Sequence, residues 1–168
     1  EAFFFFFLPD VVHVSSLFEG FVDDGVTSIG RFDTATPVSV TLYDLIPLLN
    51  PDEYLKRNST YEQYYLRKVS YLRQASMLLA ISDFTRQESL THLDIAKGKI
   101  ITISTAAEPQ FAPHDMDGNE ISDIKNKFCI HRPFILYTGG ADERKNLPRL
   151  IQAYAALPRG MRGDHQLL

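Results

Sequence analysis

Phe134–Leu150 reads FILYTGGADERKNLPRL. Phe134, Ile135, Leu136 and Tyr137 form a short apolar run, the pattern of a buried strand. Gly139 and Gly140 follow, where the lack of side chains permits a tight turn and close approach of a ligand to the backbone. Asn146 is suited to an N-cap, and Leu147, Leu150, Ile151, Tyr154 and Leu157 recur behind it at helical spacing. A strand, a glycine turn and a helix start make the basic α/β unit. The free N–H groups and dipole of such a helix start favour an anion. Arg144 and Lys145 lie between the glycines and the helix and add positive charge. The stretch therefore predicts a phosphate or diphosphate site formed by Gly139, Gly140, Arg144 and Lys145. Its spacing is neither that of the P-loop nor that of the dinucleotide fingerprint, and an Arg-Lys pair also suits a plain solvated surface.

Outward from this stretch the same alternation recurs. Val11–Ser15 and Val38–Leu42 are apolar, β-branched runs suited to buried parallel strands. Tyr61–Gln74 reads as a helix, with Tyr64, Tyr65, Lys68, Val69 and Leu72 near helical spacing. Met77–Ile81 reads as a strand, Ser82 as the cap of a helix through about His92, and Lys99–Ile103 as another strand. Strands alternating with helices predict an α/β fold, a parallel sheet with helices on both faces. Ser104–Arg132 breaks the pattern with Pro109, Pro113 and Gly118, and Pro133 follows. This is the signature of a linker, with a short helix near Ile121–Phe128.

These segments, taken in order, resemble the retaining, GT-B-fold glycosyltransferases of family 4. The resemblance is carried by Pro9–Ser15 (PDVVHVS), Val38–Pro47 (VSVTLYDLIP), Ala75–Glu88 (ASMLLAISDFTRQE), Ile100–Phe111 and Phe134–Ala156. It implies a truncated GT-B protein. Residues 1–104 would be the C-terminal part of an acceptor-side Rossmann-like domain and 105–132 an interdomain linker. Residues 133–168 would begin a second Rossmann-like domain that binds the nucleotide-sugar donor. The family's Glu-x7-Glu motif would fall beyond Leu168, so the stretch alone is expected to be inactive. The implied reaction moves a sugar from a nucleotide-diphosphate-sugar to a carbohydrate or lipid-linked acceptor, with retention, in polysaccharide or glycoconjugate synthesis. It calls for no cofactor and no metal, because Lys145, Arg144 and a helix N-terminus would neutralise the leaving diphosphate. The implied location is cytoplasmic, with peripheral association at the inner membrane face.

On the acceptor side the resemblance points to Tyr43, Asp44, Ser82 and Arg86. Ligands of open α/β sheets bind beyond the carboxyl ends of strands, where Tyr43 and Asp44 follow Val38–Leu42. The family often has histidine where Tyr43 stands, and a phenol cannot take over a cationic role. Asp44, with Lys145 a candidate catalytic residue, has two readings: a sugar contact, or the cap of the turn before Leu45-Ile46-Pro47. Ser82 reads first as a helix cap. Many family members place arginine where this chain has Gly140. A nucleotide-sugar epimerase and a non-catalytic binding or scaffold module are the alternatives.

The remaining features mainly exclude. A net charge of −4 with dispersed basic residues argues against nucleic acid as a partner. Arg67, Lys68 and Arg73 read as a solvated helix face. The single cysteine, Cys129, cannot form an internal disulfide, and reads as a small apolar residue beside Phe128 and Ile130. Phe3–Leu8 is far shorter than the roughly 20 apolar residues of a membrane span, and reads as a strand or core segment. Asp115–Glu120 resembles a calcium loop, but Pro113 and Ile124 occupy its first and twelfth ligand positions, so a solvated turn is expected. Asn58-Ser59-Thr60 is a glycosylation sequon without meaning in a cytoplasmic protein. The histidines are too dispersed for a zinc site, and His13 reads as a core histidine with a hydrogen-bond partner.

Overall fold

The computed structural model describes residues 9–25, 27–31, 33–113 and 116–168. Phe3–Leu8 and Asp115 lie outside the described residues. The chain forms two compact units, one ending at Glu108 and the other running Pro109–Leu168.

The first unit is an α/β layer built on a parallel sheet. Its strands are β1 (Val12–Val14), β2 (Val38–Leu42), β3 (Met77–Ala80) and β4 (Ile100–Thr102), in the spatial order β1-β2-β3-β4. All three pairings are parallel, with Val14 beside Val40, Val40 beside Leu78 and Leu78 beside Ile100. Between β2 and β3 run two short helices, α1 (Ile46–Leu49) and α2 (Pro51–Tyr54), and the long α3 (Ser59–Gln74). Helix α4 (Asp83–His92) joins β3 to β4.

Among the described residues, packing is confined to one face of this sheet, whereas the alternation predicts helices on both. Val40, Leu42, Leu78, Ala80 and Ile100 are buried to 1% exposure or less. They pack with Leu17, Ile29, Leu45, Leu55, Tyr65, Val69, Leu72 and Leu93. The opposite face carries His13, Ser39, Thr41, Met77, Leu79 and Ile101, all exposed or half-buried. Topology supplies the reason. Parallel crossovers are right-handed, and each step from β1 to β4 moves the same way across the sheet, so every connection falls on the same side. Covering the other face takes a reversal of strand order.

Helix α3 begins where Asn58 Oδ1 accepts the N–H groups of Thr60 and Tyr61 at 3.1 and 3.0 Å, a cap worth about 1 kcal/mol. The sequon asparagine thus has a structural role. Lys68 is 4% exposed rather than part of a solvated face. Its ammonium donates to Thr27 O at 2.7 Å and to Thr27 Oγ1, which in turn donates to Leu17 O at 2.7 Å. Tyr64 Oη donates to Phe18 O at 2.7 Å and also contacts Glu19 O. These bonds fasten the β1–β2 connection to α3. His13 is an exposed residue of the open face, not a core one, with Nδ1 2.9 Å from Ser39 Oγ and Nε2 3.1 Å from Thr41 Oγ1.

The second unit contains α5 (Gly118–Lys127), β5 (Phe134–Ile135), α6 (Leu147–Ala155), α7 (Arg159–Asp164) and β6 (Gln166–Leu167). Strand β5 pairs in parallel with β6 in its own two-stranded sheet. It is shorter than expected and exposed rather than buried. Phe134, Ile135 and Leu136 stay 46, 43 and 60% accessible, because a two-stranded sheet encloses neither face. Asp117 and Glu120 form a reciprocal capping box at the start of α5, which accounts for the acidic run there. Cys129 is exposed, and adopts a left-handed conformation with φ 54° just after α5.

Candidate functional site

In the first unit the sheet's C-terminal edge opens into a pocket of about 270 Å³. The turn after β1 supplies Ser16, Leu17 and Phe18. The end of β2 and the loop behind it supply Thr41, Tyr43, Asp44 and Pro47, and the first turns of α3 add Tyr61 and Tyr65. This is the edge at which open α/β sheets bind ligands. One wall is aromatic: the Phe18 and Tyr65 rings stack at 4.7 Å with an 18° interplanar angle, and Tyr61 lies 6.1 Å from Tyr65.

Of the four acceptor-side residues expected from the sequence, the structure places two in this pocket. Tyr43 is 52% exposed. Asp44 is also exposed, and its Oδ1 accepts the Ile46 N–H at 3.0 Å. That bond caps the turn, yet one carboxylate oxygen suffices for it, so capping and a ligand contact are compatible. Ser82 and Arg86 do not line the pocket. Ser82 Oγ caps α4 by accepting the Thr85 N–H at 3.1 Å. Thr85 Oγ1 then donates to Tyr43 O at 2.9 Å, so the cap fixes the loop that carries Tyr43. Arg86 Nε donates to Ile100 O at 3.3 Å and braces β4.

Sequence reasoning missed Phe18, Thr41, Tyr61 and Tyr65 as pocket residues. Tyr65 stood out only as a core position of a helix. The available signal was the i, i+4 spacing of Tyr61 and Tyr65 at the α3 start, two broad rings on the end of the helix nearest the sheet's ligand edge.

Tyr65 is 2% exposed. Its hydroxyl is the buried polar side-chain atom without a hydrogen-bond partner among the described residues. Burial first, then the charge of Asp44, push this phenol above its ordinary range. The Leu48 amide pulls weakly the other way, without reaching hydrogen-bond geometry.

The glycine turn lies in the second unit. Gly139 has φ +147°, and a Cβ built there would sit 2.9 Å from Tyr137 Oη. At Gly140 the same construction meets no atom within 4 Å, so the backbone there is open to a ligand. Tyr137 Oη donates to Gly140 O at 2.8 Å and braces the turn. Arg144 and Lys145 end a short 3-10 turn, Glu143–Lys145, begun by Asp142. Arg144 Nε pairs with Asp142 Oδ1 at 3.3 Å, whereas Lys145 is exposed and makes no ion pair among the described residues.

Asn146 departs from its expected role. It stands at the N-cap position of α6, but its backbone is left-handed (φ 51°, ψ 45°) and its side chain makes no capping bond. Pro148 has no N–H, and the Arg149 and Leu150 amides both bond to Asn146 O, at 3.0 and 3.3 Å. This helix start thus offers an anion little beyond the Leu147 amide.

No family model matches the chain. It is similar to the Serotype-specific mannosyltransferase WbdA of Escherichia coli, at 35% identity over 150 residues covering 89% of this chain. It is also similar to the O-antigen chain mannosyltransferase B of Escherichia coli, at 26% identity over 129 residues covering 76% of this chain. The chain spans 18% of the length of the first relative and 33% of the second. No helix among the described residues is long and apolar enough to cross a membrane.

Proposed function

We propose that the full-length protein carrying this chain is a glycosyltransferase of GT-B architecture. It transfers a mannosyl group from a nucleoside-diphosphate sugar to a carbohydrate acceptor during O-antigen-type polysaccharide synthesis, with retention at the anomeric carbon. The observation that carries this reading is the alignment of 89% of the chain with a named mannosyltransferase at 35% identity. That relative is a transferase, which favours this reading over an epimerase or a scaffold. Residues 1–104 belong in this reading to the acceptor-side domain, 105–132 to the linker and 133–168 to the start of the donor domain.

Departure of the nucleoside diphosphate builds negative charge on its phosphate oxygens, and catalysis requires that charge to be met by groups already in place. In this reading Gly139 and Gly140 admit the diphosphate to the backbone. Lys145, exposed and without an ion pair among the described residues, supplies the principal positive charge. Arg144 contributes less, since its guanidinium is held by Asp142. Asp44 and Tyr43 face the acceptor from the sheet edge.

Initial-rate kinetics on the full-length protein test this assignment. Lys145→Ala is expected to slow transfer by roughly 100-fold, the effect of removing one positioned charge. An exposed loop lysine contributes little to folding, so circular dichroism is expected to be unchanged. Arg144→Ala is expected to cost less. Near-wild-type turnover in folded Lys145→Ala enzyme contradicts the phosphate role.

A further inference from the structure

The glycine turn of the second unit is held by a side chain that the proposed chemistry leaves unused. Tyr137 follows β5, and its amide donates to Leu168 O at 2.9 Å, so its backbone is anchored beside β6. Its hydroxyl reaches across Gly139 and donates to Gly140 O at 2.8 Å. Gly139 leaves room for that reach, since a Cβ there would sit 2.9 Å from the hydroxyl. No peptide bond among the described residues is cis, so the 140–141 peptide is trans. A trans peptide is planar, with its C=O and N–H pointing to opposite sides. Holding Gly140 O toward the tyrosine therefore turns the Ala141 N–H away from it. That N–H makes no backbone hydrogen bond among the described residues, and Ala141 is exposed.

The hold matters because the peptide is otherwise free to turn. A flip of the 140–141 peptide rotates ψ of residue 140 and φ of residue 141, and glycine at 140 resists its share very little. A flipped peptide presents the negative end of a carbonyl where the Ala141 N–H stood. An anion thus meets a donor in one state and an acceptor in the other. Lys145 supplies charge to the proposed site, whereas Tyr137 supplies direction to a neutral dipole.

We infer that Tyr137 is a positioning residue for the donor diphosphate, its hydroxyl fixing the 140–141 peptide so that the Ala141 N–H donates to a phosphate oxygen. The inference rests on the reading of this turn as the diphosphate site. Tyr137 acts through the backbone and touches no substrate itself.

Tyr137→Phe keeps the ring over Gly139 and removes only the hydroxyl. The experiment titrates the 168-residue chain with inorganic pyrophosphate, following backbone amides by NMR, for wild type and Tyr137→Phe. In wild type the Ala141 amide proton is expected to shift downfield and saturate, the mark of a new hydrogen bond to an oxyanion. In the variant the affinity is expected to fall about 3- to 10-fold, the range of one modest hydrogen bond, with a smaller Ala141 shift at saturation. Unchanged Gln166 and Leu167 amides report that the β5–β6 pairing is intact. In the full-length protein the variant is expected to raise the donor KM by the same factor and leave the acceptor KM unchanged. A purely structural tyrosine would move neither the pyrophosphate affinity nor the donor KM. Saturable shifts on the turn that omit Ala141, a wild-type result independent of the variant, overturn the inference and leave the phosphate reading standing. Equal affinity in folded Tyr137→Phe does the same. Absence of any saturable shift on the turn also overturns the inference, and Lys145→Ala turnover in the full-length protein then decides whether the phosphate reading falls with it.

Discussion

Gly139 and Gly140 are chemically identical neighbours with different physical duties. Gly139 holds φ +147°, which side-chain-bearing residues rarely adopt, and a Cβ there would press against Tyr137 Oη at 2.9 Å. Gly140 has no positive φ, and a Cβ there meets open space. Gly139→Ala is therefore expected to destabilise the second unit by about 1–3 kcal/mol through backbone strain and displacement of the Tyr137 hydroxyl. Gly140→Ala is expected to stay within about 0.5 kcal/mol of wild type, the ordinary effect of a surface change. Thermal unfolding of the two variants measures the difference, and equal melting temperatures would contradict it. The glycine turn itself was legible in the sequence. The unequal roles of its two members were not, because they depend on where Tyr137 turns its hydroxyl.

Helix α3 shows the same division between pattern and environment. Its span, core stripe and cap follow from helical periodicity and from Asn58. The burial of Lys68 does not, since a lysine among Arg67 and Arg73 looks solvated until Thr27 is found waiting across the β1–β2 connection. The helix should also set the alkaline limit of the fold. Burial first, then nearby acidic groups, push Tyr64 up to about 12, and burial also raises Tyr65. Both stay protonated in the folded state while the unfolded chain ionises near 10, so their contribution is complete below pH 10 and lost as pH climbs through the folded values. Lys68 acts oppositely. Desolvation lowers its pKa, so stability gains slightly as pH rises toward 10.5. Two upward-shifted tyrosines outweigh one modestly shifted lysine above pH 10. Denaturant midpoints are expected to fall between pH 10 and 12, with tyrosinate absorbance at Tyr64 and Tyr65 rising only as the fold opens. Ionisation of all eight tyrosines near pH 10 in a fully folded chain would contradict this account.

At the scale of the whole molecule, strand–helix alternation made the parallel sheet legible, and strand order decided which face the helices cover. Alternation alone cannot report that order, so two covered faces were the natural expectation and one is found among the described residues. The pocket was half legible in the same way. Tyr43 and Asp44 follow a strand and so mark its ligand edge, whereas Phe18 and Tyr65 reach it only through folding from distant positions. The two units carry different parts of the proposed chemistry, the pocket with Tyr43 and Asp44 in the first and a glycine turn with an exposed lysine in the second. The transferase reading is tested most directly by the product. The full-length protein is incubated with a nucleoside-diphosphate mannose and a mannoside acceptor, and the new linkage is analysed by NMR. The account predicts a mannosyl group joined to the acceptor with the donor's anomeric configuration. An inverted linkage would contradict retention, and release of free mannose with no acceptor product would contradict the transferase itself.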